Sequence, residues 1–274
     1  MNQWMYATLM GLVQGITEFL PVSSSGHLAL LDALFGFGGR EAVSLTVVLH
    51  AGSLAAIIAV YFKELCRFFK PGFLHLLGML FVATIPAGAV GVAIHHFKWD
   101  ERFFGDMLFV GGGFLITGAV LRLTGRPKLI ARSEGAEGTS LENISLRQAL
   151  TVGFAQMFAI APGISRSGST ISAGVLCGVR REAAATFSFL MAIPVIGGAV
   201  LVKLLGAVRH GGDMGGMAWG PLALGFAVSA AASFAALTFL LKLVRKGKLC
   251  YFSWYMLALG AAVTLWQIAK IIKH

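Results

Sequence analysis

Gln14-Gly-Ile-Thr-Glu18-Phe-Leu-Pro21-Val-Ser23-Ser24-Ser25-Gly26-His27 and Pro162-Gly163-Ile-Ser165-Arg166-Ser167-Gly168-Ser169-Thr170 are the two stretches on which the reading of this chain turns. Each interrupts a long apolar run, Met1 to Phe37 in the first case and Ala149 to Val179 in the second. Proline removes a backbone donor and glycine weakens a helix, so each run is expected to split into two half-helices. The second half is too short to cross a bilayer, which takes about 20 apolar residues. Backbone freed at such a break must be satisfied away from lipid, so both segments read as re-entrant helix-loop-helix hairpins.

The surroundings fit a bilayer. Of 274 residues, 57% are hydrophobic and 12% charged, against roughly 25% charged in a soluble domain. Six further uncharged runs are expected to span: Ala42 to Phe62, Phe73 to Ile94, Phe104 to Leu121, Ala184 to Val202, Ala218 to Leu241, and Tyr251 to Ala269. The net charge of +10 invites a nucleic-acid reading, but the 22 Lys and Arg residues sit at the ends of apolar runs. A polyanion-binding face is not expected. The first run lacks a basic leader and small cleavage-site residues, so it is expected to belong to the mature fold. Cys66, Cys177 and Cys250 show no metal spacing and read as inert thiols.

A shift of 142 places lays one broken stretch on the other, pairing Gly11 with Gly153, Gln14 with Gln156, Ser23 with Ser165, Ser25 with Ser167 and Gly26 with Gly168. Each copy is one hairpin followed by three spans. Three crossings are an odd number, so the second copy starts from the opposite face and the repeats are inverted. The expected fold is an all-α integral membrane protein forming a single domain over 1–274, with repeat one at 1–121, a polar connector at 122–147 and repeat two at 148–274. The face carrying Lys63, Arg122 and Lys242 holds twice the Lys and Arg of the other, which makes it cytoplasmic. Both termini and the mouth of the first hairpin then face outward, and all three cysteines face the cytoplasm.

Glu18 and Arg166 lie inside the broken segments, where a centred charge costs about 2.5 to 3.5 kcal/mol on insertion scales. Inverted repeats bring them together, either as a lock between the halves or as working groups. Ser23, Ser24, Ser25, Ser165, Ser167, Ser169 and Thr170 outnumber the caps that half-helices beginning near Leu28 and Ile171 require. With Gly26, Gly163 and Gly168, two helix N-termini and a forked guanidinium, they form a cradle suited to phosphate oxygens. His27 is placed for acid/base work near neutral pH, and the other histidines are given no role. Gln14 and Glu18, one helical turn apart, offer oxygen ligands to a divalent cation such as Mg2+ or Ca2+.

With these motifs complete, the chain resembles the undecaprenyl-diphosphate phosphatases of the bacitracin-resistance family over essentially its whole length. That resemblance implies a hydrolase of the bacterial inner membrane that removes the terminal phosphate of undecaprenyl diphosphate, recycles the lipid carrier of wall synthesis and confers bacitracin tolerance. It implies a divalent-cation requirement and functional positions at Gln14, Glu18, Ser23 to Ser25, His27, Ser165, Arg166, Ser167 and Thr170. Gln14 stands where the family pattern also allows glutamate. On this reading Glu18, Ser24, His27 and Arg166 are catalytic. Ser23, Ser25, Gly26, Gly163, Ser165, Ser167, Gly168 and Thr170 bind substrate, and Gln14 and Glu18 hold the cation. Ser24 is the favoured nucleophile, with Ser23, His27 and activated water left open, and its activator is His27 or Glu18. The expected partners are the lipid substrate and the bilayer, with a homodimer left open. The competing class is a secondary transporter or flippase for polyprenyl phosphates, since inverted repeats with broken helices also serve carriers.

Overall fold

A computed structural model describes residues 2–36, 40–68, 73–97, 106–126, 133, 138–209 and 217–273. Among these the chain is helical, with one isolated parallel bridge between Thr139 and Val179. The helices are α1 (Gln3–Phe19), α2 (Ser24–Phe35), α3 (Arg40–Val60), α4 (Phe62–Arg67), α5 (Leu74–Phe97), α6 (Met107–Leu123), α7 (Leu146–Phe158), α8 (Arg166–Leu176), α9 (Arg181–Arg209), α10 (Trp219–Arg245) and α11 (Phe252–Lys273). Four segments are long and apolar enough to cross a membrane, Leu74–Ile94, Arg181–Gly206, Trp219–Arg245 and Leu249–Lys273, while Ser44–Val60 and Met107–Leu123 are shorter apolar helices. All six fall on the expected runs. Large apolar side chains point outward, Phe81 at 71%, Val92 at 71% and Trp219 at 74% exposed, which suits a lipid surround. The protein is a multi-pass, all-α integral membrane protein. Residues 127–132 and 134–137 of the connector expected at 122–147 lie outside the described residues, as do the first and last residues.

The two interrupted runs are α1–α2 and α7–α8, and here the structure corrects the sequence reading. Their second halves begin at Ser24 and Arg166, about one turn before the expected Leu28 and Ile171. The serines are the reason. Ser23 accepts from the Gly26 N–H and Ser165 from the Gly168 N–H, so the hydroxyl-rich segments form the caps and first turns of α2 and α8. Ser145 and Gln148 likewise make a reciprocal capping box that starts α7.

Packing crosses between the halves of the sequence. α1 lies along α10, α7 along α5, and α6 along α11. Small residues let these backbones approach: a Cβ on Gly11 would stand 2.9 Å from the Gly225 carbonyl oxygen. On the α3–α10 seam, Ser229 donates to the Leu49 carbonyl at 2.7 Å and Ser233 to the Ser53 hydroxyl at 2.9 Å. The main apolar core gathers Phe19, Ile171, Phe187, Phe189 and Leu237 around the inner ends of α1 and α8, which fixes the polar loops above it.

Candidate active site

The loops after α1 and α7 meet. Ser167 donates to the Leu20 carbonyl at 3.2 Å. A Cβ on Gly26 would collide with the Phe114 ring and stand 3.0 Å from the Cα of Gly163. Gly163, at φ 82°, lies against the Val110 carbonyl of α6 and takes the left-handed conformation that glycine tolerates. Thr117 of α6 pins the loop by donating to the Gly163 carbonyl at 3.2 Å and accepting from the Ser165 N–H at 2.9 Å. This delivers Ser165 and Arg166 to the end of α1.

At that junction Glu18 is the hub. Its Oε1 accepts from Arg166 Nη2 at 2.7 Å; its Oε2 accepts from the Ser24 hydroxyl at 2.7 Å and from Gln14 Nε2 at 3.0 Å. Four of the expected residues therefore form one hydrogen-bonded group, in which Gln14 and Glu18 are buried, so that the carboxylate without its arginine would be costly. Two atoms bear on what that group can take up. Arg166 Nη1 is a buried donor with no protein partner, and Gln14 Oε1 is a buried acceptor with none. Arg166 thus holds the carboxylate with one arm of its fork and keeps the other for an incoming acceptor. Gln14 Oε1 and the Glu18 carboxylate are the hard oxygen donors of the site, a fit for a divalent cation that completes its shell with phosphate oxygens. Among the described residues no cluster of three His, Cys, Asp or Glu side chains adds to them.

The remaining expected residues divide. Ser23 pairs with Ser25 at 3.4 Å and Ser165 with Ser167 at 3.3 Å, hydroxyl to hydroxyl. Gly26, Gly163 and Gly168 serve the close approach of the loops, Gly168 standing 3.2 Å from Pro21 Cβ through its own virtual Cβ. The Thr170 hydroxyl turns back to the Arg166 carbonyl at 2.7 Å and pairs with Ser188 at 2.6 Å, so it braces α8 against α9. His27 is the main departure. Neither ring nitrogen reaches Ser24: Nδ1–H donates to the Ser23 carbonyl at 2.8 Å and Nε2 accepts from the Tyr255 hydroxyl at 2.6 Å. Of the two activators left open for Ser24, Glu18 is the one hydrogen-bonded to its hydroxyl.

Sequence reasoning missed four groups. His50, given no role, stands on α3 with Nε2 3.8 Å from Glu18 Oε2. Tyr255, Thr117 and Ser188 also reach the site from distant helices. No local motif announces them. Beside the second loop, an apolar groove of about 520 Å³ runs between α5, α6 and α7, walled by Ile94, Phe109, Gly112, Phe158, Pro162 and Ile164.

Helices broken in mid-run, joined through an ion pair and lined with hydroxyls, define an integral membrane protein with a buried polar centre. The chain matches the family described as Bacitracin resistance protein BacA over residues 7–262 and belongs to that family. Among its relatives, the undecaprenyl-diphosphatase of Carboxydothermus hydrogenoformans is 38% identical over 264 residues, covering 96% of this chain and 97% of that protein. Those of Parabacteroides distasonis and Bacteroides thetaiotaomicron are 37% and 36% identical, covering 96% and 97% of this chain and 97% and 99% of theirs.

Proposed function

We propose that this protein hydrolyses undecaprenyl diphosphate to undecaprenyl phosphate and inorganic phosphate, which recycles the lipid carrier of wall synthesis and gives tolerance to bacitracin. The observation that carries the site assignment is Glu18, with Arg166 on one carboxylate oxygen and Ser24 on the other. The names and near-complete coverage of the relatives support the substrate.

In the first step the Ser24 hydroxyl gives its proton to Glu18 Oε2 as its oxygen attacks the terminal phosphorus. The bond from that phosphorus to the bridging oxygen breaks, and undecaprenyl phosphate leaves. In the second step water attacks the phosphoserine, its proton passes to a site base, and the Ser24 oxygen departs and is reprotonated. Arg166 Nη1, the N–H groups opening α2 and α8, and the Ser165 and Ser167 hydroxyls neutralise charge on the transferred phosphoryl group, the main demand of this chemistry. A divalent cation held by Gln14 and Glu18 would supply further charge neutralisation. The groove beside Pro162 and Ile164 is suited to part of the isoprenoid tail. A carrier needs groups that bind and release, whereas a hydroxyl already hydrogen-bonded to a carboxylate beside an arginine suits bond cleavage.

The finer architecture we propose is six spans with two re-entrant hairpins in two inverted repeats. The exchange of partners supports it: α1 packs on α10 as its counterpart α7 packs on α5. We place the protein in the bacterial inner membrane with both termini periplasmic.

The deciding experiment measures phosphate release from prenyl diphosphates by purified protein in detergent, with and without chelator. Release without any gradient is expected, and its loss on chelation supports the cation. Absence of release from every prenyl diphosphate overturns the hydrolase reading.

A further inference from the structure

We infer that Tyr255 is a positioning residue that, together with the Ser23 carbonyl, fixes the orientation and tautomer of His27; the link to turnover rests on the phosphatase reading above. Two hydrogen bonds and one ring contact carry the inference. A backbone carbonyl only accepts, so the 2.8 Å contact between His27 Nδ1 and the Ser23 carbonyl puts a proton on Nδ1. In the neutral ring Nε2 then holds the lone pair, and the Tyr255 hydroxyl at 2.6 Å is its donor. The rings stack as well, with centroids 5.8 Å apart and planes 12° apart, while Phe114 closes the other side at 5.4 Å.

The Ser23 end of this chain is built at a cost. Ser23 has φ 65°, the one non-glycine residue in the left-handed region among the described residues. That conformation turns its carbonyl onto both the His27 backbone N–H at 3.2 Å and the ring Nδ1. Backbone strain of this kind persists where surrounding structure over-determines it. Here it holds one end of an imidazole whose other end is held by Tyr255 from α11, the last helix of the chain. His27 is thus held at both ring nitrogens, in one tautomer and one orientation, and losing the tyrosine hydroxyl leaves the ring held at the Ser23 end alone.

Tyr255→Phe removes the hydroxyl and keeps the stacked ring, so folding is preserved; Tyr255→Trp serves as a second variant if it is not. For Tyr255→Phe we expect kcat for prenyl diphosphate hydrolysis to fall roughly tenfold, the order of one hydrogen bond, with KM unchanged. In a His27→Gln background the same change is expected to add nothing, because its effect passes through His27. Equal losses in both backgrounds, or full activity of Tyr255→Phe, overturn the proposal. A second readout needs no turnover. In protein labelled with 15N-histidine, the Nε2 resonance that vanishes in His27→Gln is expected to move in Tyr255→Phe while the other histidines keep theirs. An unmoved resonance also overturns the proposal. Should the wild-type protein release no phosphate, the hydrolase reading alone falls and the resonance still decides the role of Tyr255.

Discussion

Arg166 and Ser24 divide one carboxylate between them, and their replacement should separate binding from chemistry. Arg166→Lys keeps the charge but loses the fork that spans Glu18 and a ligand. Turnover is expected to drop at least about a hundredfold, with thermal unfolding in detergent close to wild type. Retained activity would mean that Arg166 only locks the two loops together. Ser24→Ala removes the proposed nucleophile and one partner of Glu18 Oε2. Steady-state turnover is expected to fall by about a thousandfold or more, and rapid-quench trapping with labelled substrate should find phosphoserine in the wild type and none in the variant. Near-normal turnover of Ser24→Ala would transfer the nucleophile's role elsewhere.

At the level of elements, the second loop is held by backbone contacts that tolerate no side chain. Gly163 sits at φ 82° against α6, so Gly163→Ala meets both an unfavourable conformation and the Val110 carbonyl. A loss of about 1–3 kcal/mol is expected, visible as a lower unfolding temperature and as loss of activity from misplaced Ser165 and Arg166. Gly112 offers a contrasting case, since a Cβ there has nothing within 4 Å and points to the groove wall. Gly112→Phe should fold normally and raise KM for long prenyl diphosphates several-fold while sparing short ones. Equal effects on both would dissociate the groove from the tail. These elements also mark how far the sequence could be read. Proline, glycine and charge boundaries placed the helices and both interruptions, because lipid makes every broken backbone bond conspicuous. α2 and α8 start about one turn before Leu28 and Ile171, because a serine-rich segment reads equally as loop or as cap and first turn. His50 and Tyr255 were illegible because they owe their places to helix packing, Tyr255 lying 228 residues from its partner His27. Glu18 and Arg166 were legible because a charge in an apolar run has few reasons to exist.

Over the whole molecule, the proposed orientation puts the exposed Cys66 of α4 on the cytoplasmic side. A membrane-impermeant maleimide applied to right-side-out vesicles should leave Cys66 unlabelled until the vesicles are lysed; prompt labelling in sealed vesicles would invert the assigned orientation. The partner exchange between α1–α10 and α5–α7 has a further bearing on how the chain is made. Glu18 leaves the ribosome 148 residues before Arg166, which at typical elongation rates is an interval of roughly 7 to 30 s. For that time the nascent first hairpin has neither its counter-ion nor the α10 surface it will lie against. The polar centre is therefore assembled only after α8 and α10 have been synthesised, and a product that ends before α8 leaves Glu18 without its counter-ion.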